Sequence, residues 1–255
     1  MKLLTDRMKL PFIRYNVNAL IKMPNIAIFG GTFDPIHWGH LLIAETALDQ
    51  FHLDRIIWVP TFRPPHKAPP LVSFEHRLAM VSLAIAGHPA FHVSAVDSQQ
   101  QGTSYAIATF KALQTLEPNA CWYWIIGNDA FQSLPHWRAS QTLAAQCIWL
   151  VAPRLMQRAG EGERAAGEER AAGNDQPLEV AIPLDVFTSS QSGSKLNSSR
   201  LMPYLHLNGH RLEMPSVAVS SSLIRQQCRD KRSIRYLVPE SVRCYITEKL
   251  LYQMS

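Results

Sequence analysis

The sequence lacks the features that would place it in a membrane. None of its apolar runs approaches the roughly 20 consecutive residues that a helix needs to span a bilayer. The N-terminal stretch has no uninterrupted apolar core of the kind found in a signal peptide, because Arg14, Asn16 and Asn18 interrupt it. We therefore expect a soluble, cytoplasmic protein without a membrane partner.

Cysteine is scarce, with four residues in a chain of 255 and no Cys-x-x-Cys pair. Cys121, Cys147, Cys228 and Cys244 are widely spaced, and none has the nearby histidines that a zinc site needs. We expect them to be reduced and buried. The sequence predicts no metal site built from protein side chains alone.

Two common phosphate-binding patterns are also missing, since the glycines at 30–31 fit neither G-x-x-x-x-G-K-[ST] nor G-x-G-x-x-G. The net charge of +5 and the pI near 9.1 favour an anionic partner. The basic residues are nevertheless scattered, apart from 158–170 and 229–235, and aromatic residues do not alternate with them. We expect no nucleic-acid partner.

Short apolar runs alternate with amphipathic segments of helical length from residue 25 to residue 153. This alternation predicts an α/β fold, a doubly wound (Rossmann-like) parallel sheet of five to six strands with helices on both faces. The predicted strands are 25–30, 55–60, 91–96, 121–127 and 147–153, and the predicted helices between them are 38–51, 74–86, 104–116 and 139–146.

Two segments depart from this pattern. Residues 1–24 are interpreted as an N-terminal extension, for which disorder is one interpretation. Residues of about 155–209 are rich in Ala, Gly, Glu and Arg and then in Ser, which predicts a low-complexity insertion. Within it, 161–172 is a candidate short helix and 178–187 a candidate extra strand. A last strand at 211–217 and helices beginning near Ser220 and Pro239 complete one domain over 25–255.

The most informative stretch is IAIFGGTFDPIHWGHLLIAE, residues 26–45, which begins as a strand and ends as a helix. His37 and His40 lie three residues apart and therefore share one face of the first helical turn. The free amides of a helix N-terminus attract anions, and imidazole donors add to them. The turn therefore predicts a phosphate site, with Gly39 leaving room for a base or sugar.

GGTFDPIHWGH resembles the signature of the nucleotidyltransferases that carry the HxGH motif, and its Phe-Asp-Pro form is similar to the bacterial nicotinate-nucleotide adenylyltransferases. Further motifs resemble that family in the same order, and the resemblance covers about 25–153 and 211–252. They are PTFRPPHK, HRLAM, SYAIATF, IIGNDAFQSLPHW, VSSSLIR and VPESVRCYI.

The resemblance implies a nucleotidyltransferase fold and, in NAD biosynthesis, adenylyl transfer from ATP to nicotinate mononucleotide, giving deamido-NAD and pyrophosphate. It implies Mg²⁺ bound with ATP, and a homo-oligomer is one possibility. The implied catalytic residues are His37, His40, Lys67 and Arg225. The residues implied to bind ATP are Gly30, Gly31, Thr32, Phe33, Gly39, Gly127, Asp129, Ser221 and Ser222. The residues implied to bind nicotinate mononucleotide are Ser104, Tyr105, Ala106 and Trp137.

The chain departs from the family pattern at Ala106 and Ala108, where a threonine and an acid are usual, and at Gln99, where an acid is common. Two alternatives therefore stay open. One is adenylyl transfer to nicotinamide mononucleotide, or another HxGH-type reaction. The other is a non-catalytic module that binds a nucleotide or RNA.

Overall fold

The structure is a computed structural model that describes residues 23–65, 68–153, 182–183, 204–205, 207, 209–215 and 217–253. Its strands are β1 (Asn25–Gly31), β2 (Arg55–Pro60), β3 (Phe91–Val93), β4 (Cys121–Gly127), β5 (Ile148–Ala152), β6 (Ile182–Pro183), β7 (Tyr204–Leu205) and β8 (Gly209–Arg211). Six of them form one parallel sheet in the order β3-β2-β1-β4-β5-β8, and β6 and β7 form a separate antiparallel pair.

Helices cover both faces of the sheet. They are α1 (Trp38–Gln50), α2 (Phe74–Ile85), α3 (Ala106–Leu116), α4 (Asn128–Gln132), α5 (Ser140–Gln146), α6 (Ser221–Arg229) and α7 (Glu240–Glu248). Buried residues of α1, α2, α6 and α7 pack in one core cluster, and those of α3, α4 and α5 pack in the other.

The strands supply both clusters because their side chains alternate between the two faces. In β1, Ala27 and Phe29 join the cluster of α1, whereas Ile26 and Ile28 join the cluster of α3. Strands buried on both faces read as continuous apolar runs, which is why the sequence identifies them.

The strand order reverses direction at β1. The chain passes from β1 to β2 and β3 on one side and then returns to add β4 on the other side of β1. In open parallel sheets, ligands bind beyond the carboxyl ends of the strands at such a switch point. The loops after Gly31 and Gly127 lie at this switch point, so the fold predicts a ligand site there.

The predicted fold class is confirmed, with local corrections. The last strand ends at Arg211, where the prediction began it, because its partner strand β5 ends at Ala152. The last bond between them is donated by Leu212 N–H to the Val151 carbonyl oxygen. The third strand is shorter than predicted, since Val96 already belongs to a 3-10 helix, Val96–Gln99.

The expectation for cysteine is correct only in part. All four thiols are free, but Cys244 is exposed and Cys121 is half-buried, while Cys147 and Cys228 are buried. Residues 1–22 and most of 155–209 lie outside the described residues, so the predicted extension, insertion and single domain stay predictions. Among the helices in the described ranges, none is long and apolar enough to cross a membrane.

Candidate active site

The turn after β1 is filled by its own aromatic side chain. Phe33 adopts a positive φ of 49° and folds its ring back over the strand end, where it is 2% exposed. A Cβ at Gly31 would lie 2.9 Å from that ring, so glycine is required there. At Gly30 a Cβ would make only an ordinary contact with Trp124. The space beside the Gly31 Cα is thus occupied by the Phe33 ring.

His37 and His40 lie together at the start of α1. Their rings stack with centroids 3.7 Å apart, and the backbone N–H of His37 donates to Nδ1 of His40 over 3.3 Å. This bond fixes the neutral tautomer of His40, whose proton then lies on Nε2 and can be donated to a ligand. His37 is buried, and its Nδ1 has no hydrogen-bond partner among the described residues.

Both imidazoles are neutral at pH 7. Burial lowers the pKa of His37 to about 4. Burial, and then the nearby charge of His37, also lower the pKa of His40 well below its ordinary value. The pair therefore offers neutral N–H donors rather than fixed positive charges, and a bound polyanion would raise both pKa values.

Gly39 makes the histidine pair possible. A Cβ at this position would lie 3.0 Å from Cε1 and Nδ1 of His37 and 3.6 Å from the carbonyl oxygen of Val219. The room at Gly39 is therefore taken by the His37 ring in this structure.

Asp34 connects three distant segments to this turn, a role that sequence reasoning missed. One carboxylate oxygen accepts the backbone N–H of Leu71 over 2.8 Å, and the other accepts the hydroxyl of Tyr252 over 2.7 Å. Its backbone carbonyl accepts a hydrogen bond from Arg225. Because both carboxylate oxygens are engaged, Asp34 acts here as a structural centre.

Helix α6 begins beside this turn. Ser220 caps the helix by accepting the N–H of Leu223 over 3.2 Å, as the serine run predicted. Ser221 donates its hydroxyl to the carbonyl oxygen of Pro35 over 2.8 Å. Arg225 donates from Nη1 to the Asp34 carbonyl over 2.7 Å and from Nη2 to the Ser222 hydroxyl over 3.1 Å. The structure therefore brings the start of α6 against the histidine turn.

Lys67 lies outside the described residues, but the loop that carries it is anchored on both sides. Before it, Phe62 N–H donates to the Asp97 carboxylate over 2.7 Å. After it, Leu71 N–H donates to Asp34. Buried Arg77 donates from Nη1 to the carbonyl oxygens of Thr32 and Thr61, both over 2.7 Å, and so joins the ends of β1 and β2.

Ser104 and Tyr105 lie before α3, on the other face of the sheet. Ser104 is buried, and its hydroxyl accepts the N–H of Arg63 over 2.9 Å. The N–H of Tyr105 donates to Gln100 over 3.2 Å, and Gln100 donates in turn to the buried Asp97 over 2.7 Å. Sequence reasoning missed the contact of Gln100 with Tyr105 at the start of α3. The only signal near it was Gln99, which departs from the family pattern.

Trp137 lies half-buried near the carboxyl end of β4, where it contacts Trp124 and Trp149 edge to face, with ring centroids 6.5 and 6.4 Å away. Its indole N–H donates to the Ser133 hydroxyl over 3.2 Å, which fixes the ring. Trp122, Trp124 and Trp149 are core residues, as predicted. Gly127 and Asp129 are exposed at the junction of β4 and α4, and half-buried Ala106 begins α3.

The predicted site residues thus divide into two groups. His37, His40, Ser221, Ser222 and Arg225 meet on the face of α1, and Ser104, Tyr105, Ala106 and Trp137 lie on the face of α3. The carboxyl ends of the paired strands β1 and β4 lie between the two groups. An elongated ligand with a polyphosphate and a flat ring suits this arrangement.

We predict that the histidine pair makes the protein less stable in acid. Between about pH 4 and 6.5 the unfolded His37 binds more protons than the folded one, so stability falls as pH falls through this window. From pH 7 to pH 5 the expected loss through His37 is about 2 kcal/mol in the free energy of unfolding. Urea unfolding of wild type and His37→Gln measures this loss, with the exposed His92→Gln as the control. If the free energy of unfolding of His37→Gln falls with pH as steeply as that of wild type, the prediction is contradicted.

We also predict that Tyr252→Phe destabilises the fold by about 1.5–3 kcal/mol, since it removes a buried hydrogen bond to a carboxylate. Burial, together with Asp34, raises the pKa of Tyr252, so its hydroxyl stays protonated and donates. Chemical unfolding measures the loss, and Tyr236→Phe is the matched control because Tyr236 is 84% exposed. Equal losses in the two variants contradict a special role for the Asp34 contact.

Comparison with known families agrees with this geometry. The cytidylyltransferase-like family matches residues 28–227, which is more than half of the chain. A nicotinic acid mononucleotide adenylyltransferase of Plasmodium falciparum, solved in complex with NaAD, has a similar fold with a TM-score of 0.59 at 19% identity, covering 91% of this chain and 98% of that one. The fold and the histidine-bearing helix start define a nucleotidyltransferase.

Sequence relatives narrow this class. The chain is 47% identical over 230 residues to a "Probable nicotinate-nucleotide adenylyltransferase" of Trichormus variabilis, covering 90% of this chain and 98% of the relative. It is 38% identical over 231 residues to a protein of the same name in Geobacillus kaustophilus, covering 90% and 87%. The chain therefore belongs to the nicotinate-nucleotide adenylyltransferase family.

Proposed function

We propose that the protein transfers the adenylyl group of ATP to nicotinate mononucleotide, giving deamido-NAD and pyrophosphate. An oxygen of the mononucleotide phosphate attacks the α-phosphorus of ATP. A new P–O bond forms as the bond between the α-phosphorus and the bridging oxygen breaks, and that oxygen leaves with pyrophosphate. The attacking phosphate is already ionised at neutral pH, so no protein nucleophile is needed.

Catalysis then depends on alignment and on donors for the departing negative charge. His37 and His40 supply N–H donors at the N-terminus of α1, and Arg225 adds a planar cation from α6. We assign to Lys67 a further phosphate contact on the strength of the family resemblance. The adenosine and phosphates of ATP are expected to contact Gly30, Gly31, Thr32, Phe33, Gly39, Gly127, Asp129, Ser221 and Ser222.

The face of α3 would receive the pyridine ring. Trp137 is half-buried and held by Ser133, so its indole can stack on a flat ring at little entropic cost. Tyr105 and Ala106 mark the start of α3, where free backbone amides can replace the hydroxyl that Ala106 lacks. Ser104 acts through its bond to Arg63, which fixes the loop at the pocket wall.

Magnesium is expected to enter with ATP. Among the described residues, no three His, Cys, Asp or Glu side chains are grouped so that they could hold a metal ion. Asp34, the carboxylate nearest the histidine turn in sequence, already has both oxygens engaged. The described side chains therefore do not form a metal cage, and the ion would be bound mainly by phosphate oxygens and water.

The stacked pair of His37 and His40 beyond the end of β1, with an unpartnered buried nitrogen, is the observation that carries the proposal. The test is pyrophosphate release from ATP and Mg²⁺ with either nicotinate or nicotinamide mononucleotide. We expect release with nicotinate mononucleotide and much weaker release with the amide. Preference for the amide would indicate the sister activity, and no release with either acceptor would indicate a binding module.

A further inference from the structure

Arg138 immediately follows Trp137, a residue of the proposed pyridine pocket. Its guanidinium carbon lies 4.7 Å from the centre of the Tyr105 ring, so the cation lies over a residue of the proposed pocket. The side chain is exposed, and it has no ion pair with an acidic side chain in the part of the chain that the structure describes. Within the described ranges, the positive charge next to Trp137 is thus left without an acidic counter-ion.

The backbone around Arg138 is held in place from both sides. Trp137 N–H donates to the carbonyl oxygen of Leu134 over 3.0 Å, and Ser140 N–H donates to the carbonyl oxygen of Trp137 over 3.1 Å. The buried hydroxyl of Ser140 donates to the Pro135 carbonyl over 3.3 Å. Arg138 therefore projects from a fixed turn between a 3-10 helix and α5, and its position follows that of Trp137.

The contact with Tyr105 leaves the donors of Arg138 available. A guanidinium above an aromatic ring is attracted to the negative face of the ring. The N–H groups of the guanidinium can still donate to a neighbouring acceptor such as a carboxylate. Tyr105 therefore restricts where the cation can lie without satisfying its hydrogen-bonding capacity.

We infer that Arg138 is a specificity-determining residue that recognises the carboxylate of the pyridine substrate and selects the acid over the amide. This inference rests on the proposed function. A carboxylate offers two anionic acceptors to a guanidinium, whereas a carboxamide offers one neutral acceptor and an NH₂ donor that Arg138 cannot accept. Arg138 should therefore contribute to binding the acid and little to binding the amide.

The experiment compares wild type with Arg138→Gln and Arg138→Lys, measuring kcat/KM for both mononucleotides and the affinities for deamido-NAD and NAD. For Arg138→Gln we expect kcat/KM with the acid to fall by about 10–100-fold, the typical effect of losing a charge-assisted bond. The value with the amide should change by less than about threefold. Arg138→Lys should recover part of the loss, since it keeps the charge without the planar donors. Arg229→Gln on α6 is the control, because Arg229 is likewise an exposed arginine but donates to the side chain of Gln226 on its own helix.

The ratio of the two kcat/KM values decides the outcome. An equal fall with acid and amide would mean that Arg138 only supports the pocket wall, and no fall would mean that it does not touch the ligand; either result overturns the inference. The ratio of the affinities for deamido-NAD and NAD, compared between wild type and Arg138→Gln, tests the same selectivity without turnover. If wild type releases no pyrophosphate with nicotinate mononucleotide, the proposed function itself fails.

Discussion

His40→Ala is expected to lower kcat for adenylyl transfer by about 100- to 1,000-fold, while KM for ATP changes much less. His40 accepts the His37 N–H at Nδ1, so its remaining proton lies on Nε2 and can be donated to phosphate oxygens. As pyrophosphate departs, negative charge grows on those oxygens, and a donor already in position stabilises it without reorganisation. Steady-state pyrophosphate release under saturating acceptor measures the effect.

The control for this prediction must separate catalysis from helix capping. His40 also caps α1, because its ring accepts the His37 N–H. His40→Gln supplies a capping acceptor at the same helical position without supplying an imidazole. We expect His40→Gln to fold normally and to stay nearly as inactive as His40→Ala. Recovery of full activity in the glutamine variant would assign His40 to capping alone, and the exposed His92→Ala should leave turnover unchanged.

The sequence predicts the sheet and the histidine turn because the signals there are local. The strands β1, β2, β4 and β5 are short apolar runs buried on both faces. His37 and His40 share a helical turn by spacing alone. The boundary errors occur where tertiary contacts decide. The prediction extended the last strand through Pro215, whereas the observed strand ends at Arg211.

The contacts that hold the site together could not be predicted in the same way. Asp34 and Tyr252 are separated by 218 residues, and Asp34 and Arg225 by 191. No periodic pattern in a single sequence specifies such pairs. Gln100 likewise has no motif of its own, because its function depends on Asp97 and Tyr105 meeting in space.

Glycines show a different limit of sequence reasoning. The resemblance implies that Gly31 contacts ATP, and the sequence predicts that Gly39 leaves room for a base or sugar. In the structure a Cβ would lie 2.9 Å from the Phe33 ring at Gly31 and 3.0 Å from the His37 ring at Gly39. The sequence indicates that small residues are needed at these positions, and the structure shows that the side chains packed against them belong to the same turn. Glycine there positions the aromatic rings that surround His40.

Arg225→Ala is expected to lower kcat/KM for ATP by about 100-fold and to leave KM for nicotinate mononucleotide nearly unchanged. The guanidinium is held by the Asp34 carbonyl and the Ser222 hydroxyl, both neutral acceptors, so its positive charge remains available for a phosphate. Its position at the start of α6, against the histidine turn, places that charge on the phosphate side of the crevice.

Arg225→Lys should recover only part of this loss, because a lysine keeps the charge but not the planar donors that reach Asp34 and a phosphate together. Arg229→Ala, one turn further along α6, is the matched control and should retain wild-type kinetics. Equilibrium unfolding of each variant separates the loss of the Asp34 contact from the loss of a phosphate contact. If Arg225→Ala is destabilised but binds and turns over ATP as wild type does, Arg225 serves only to join α6 to the turn.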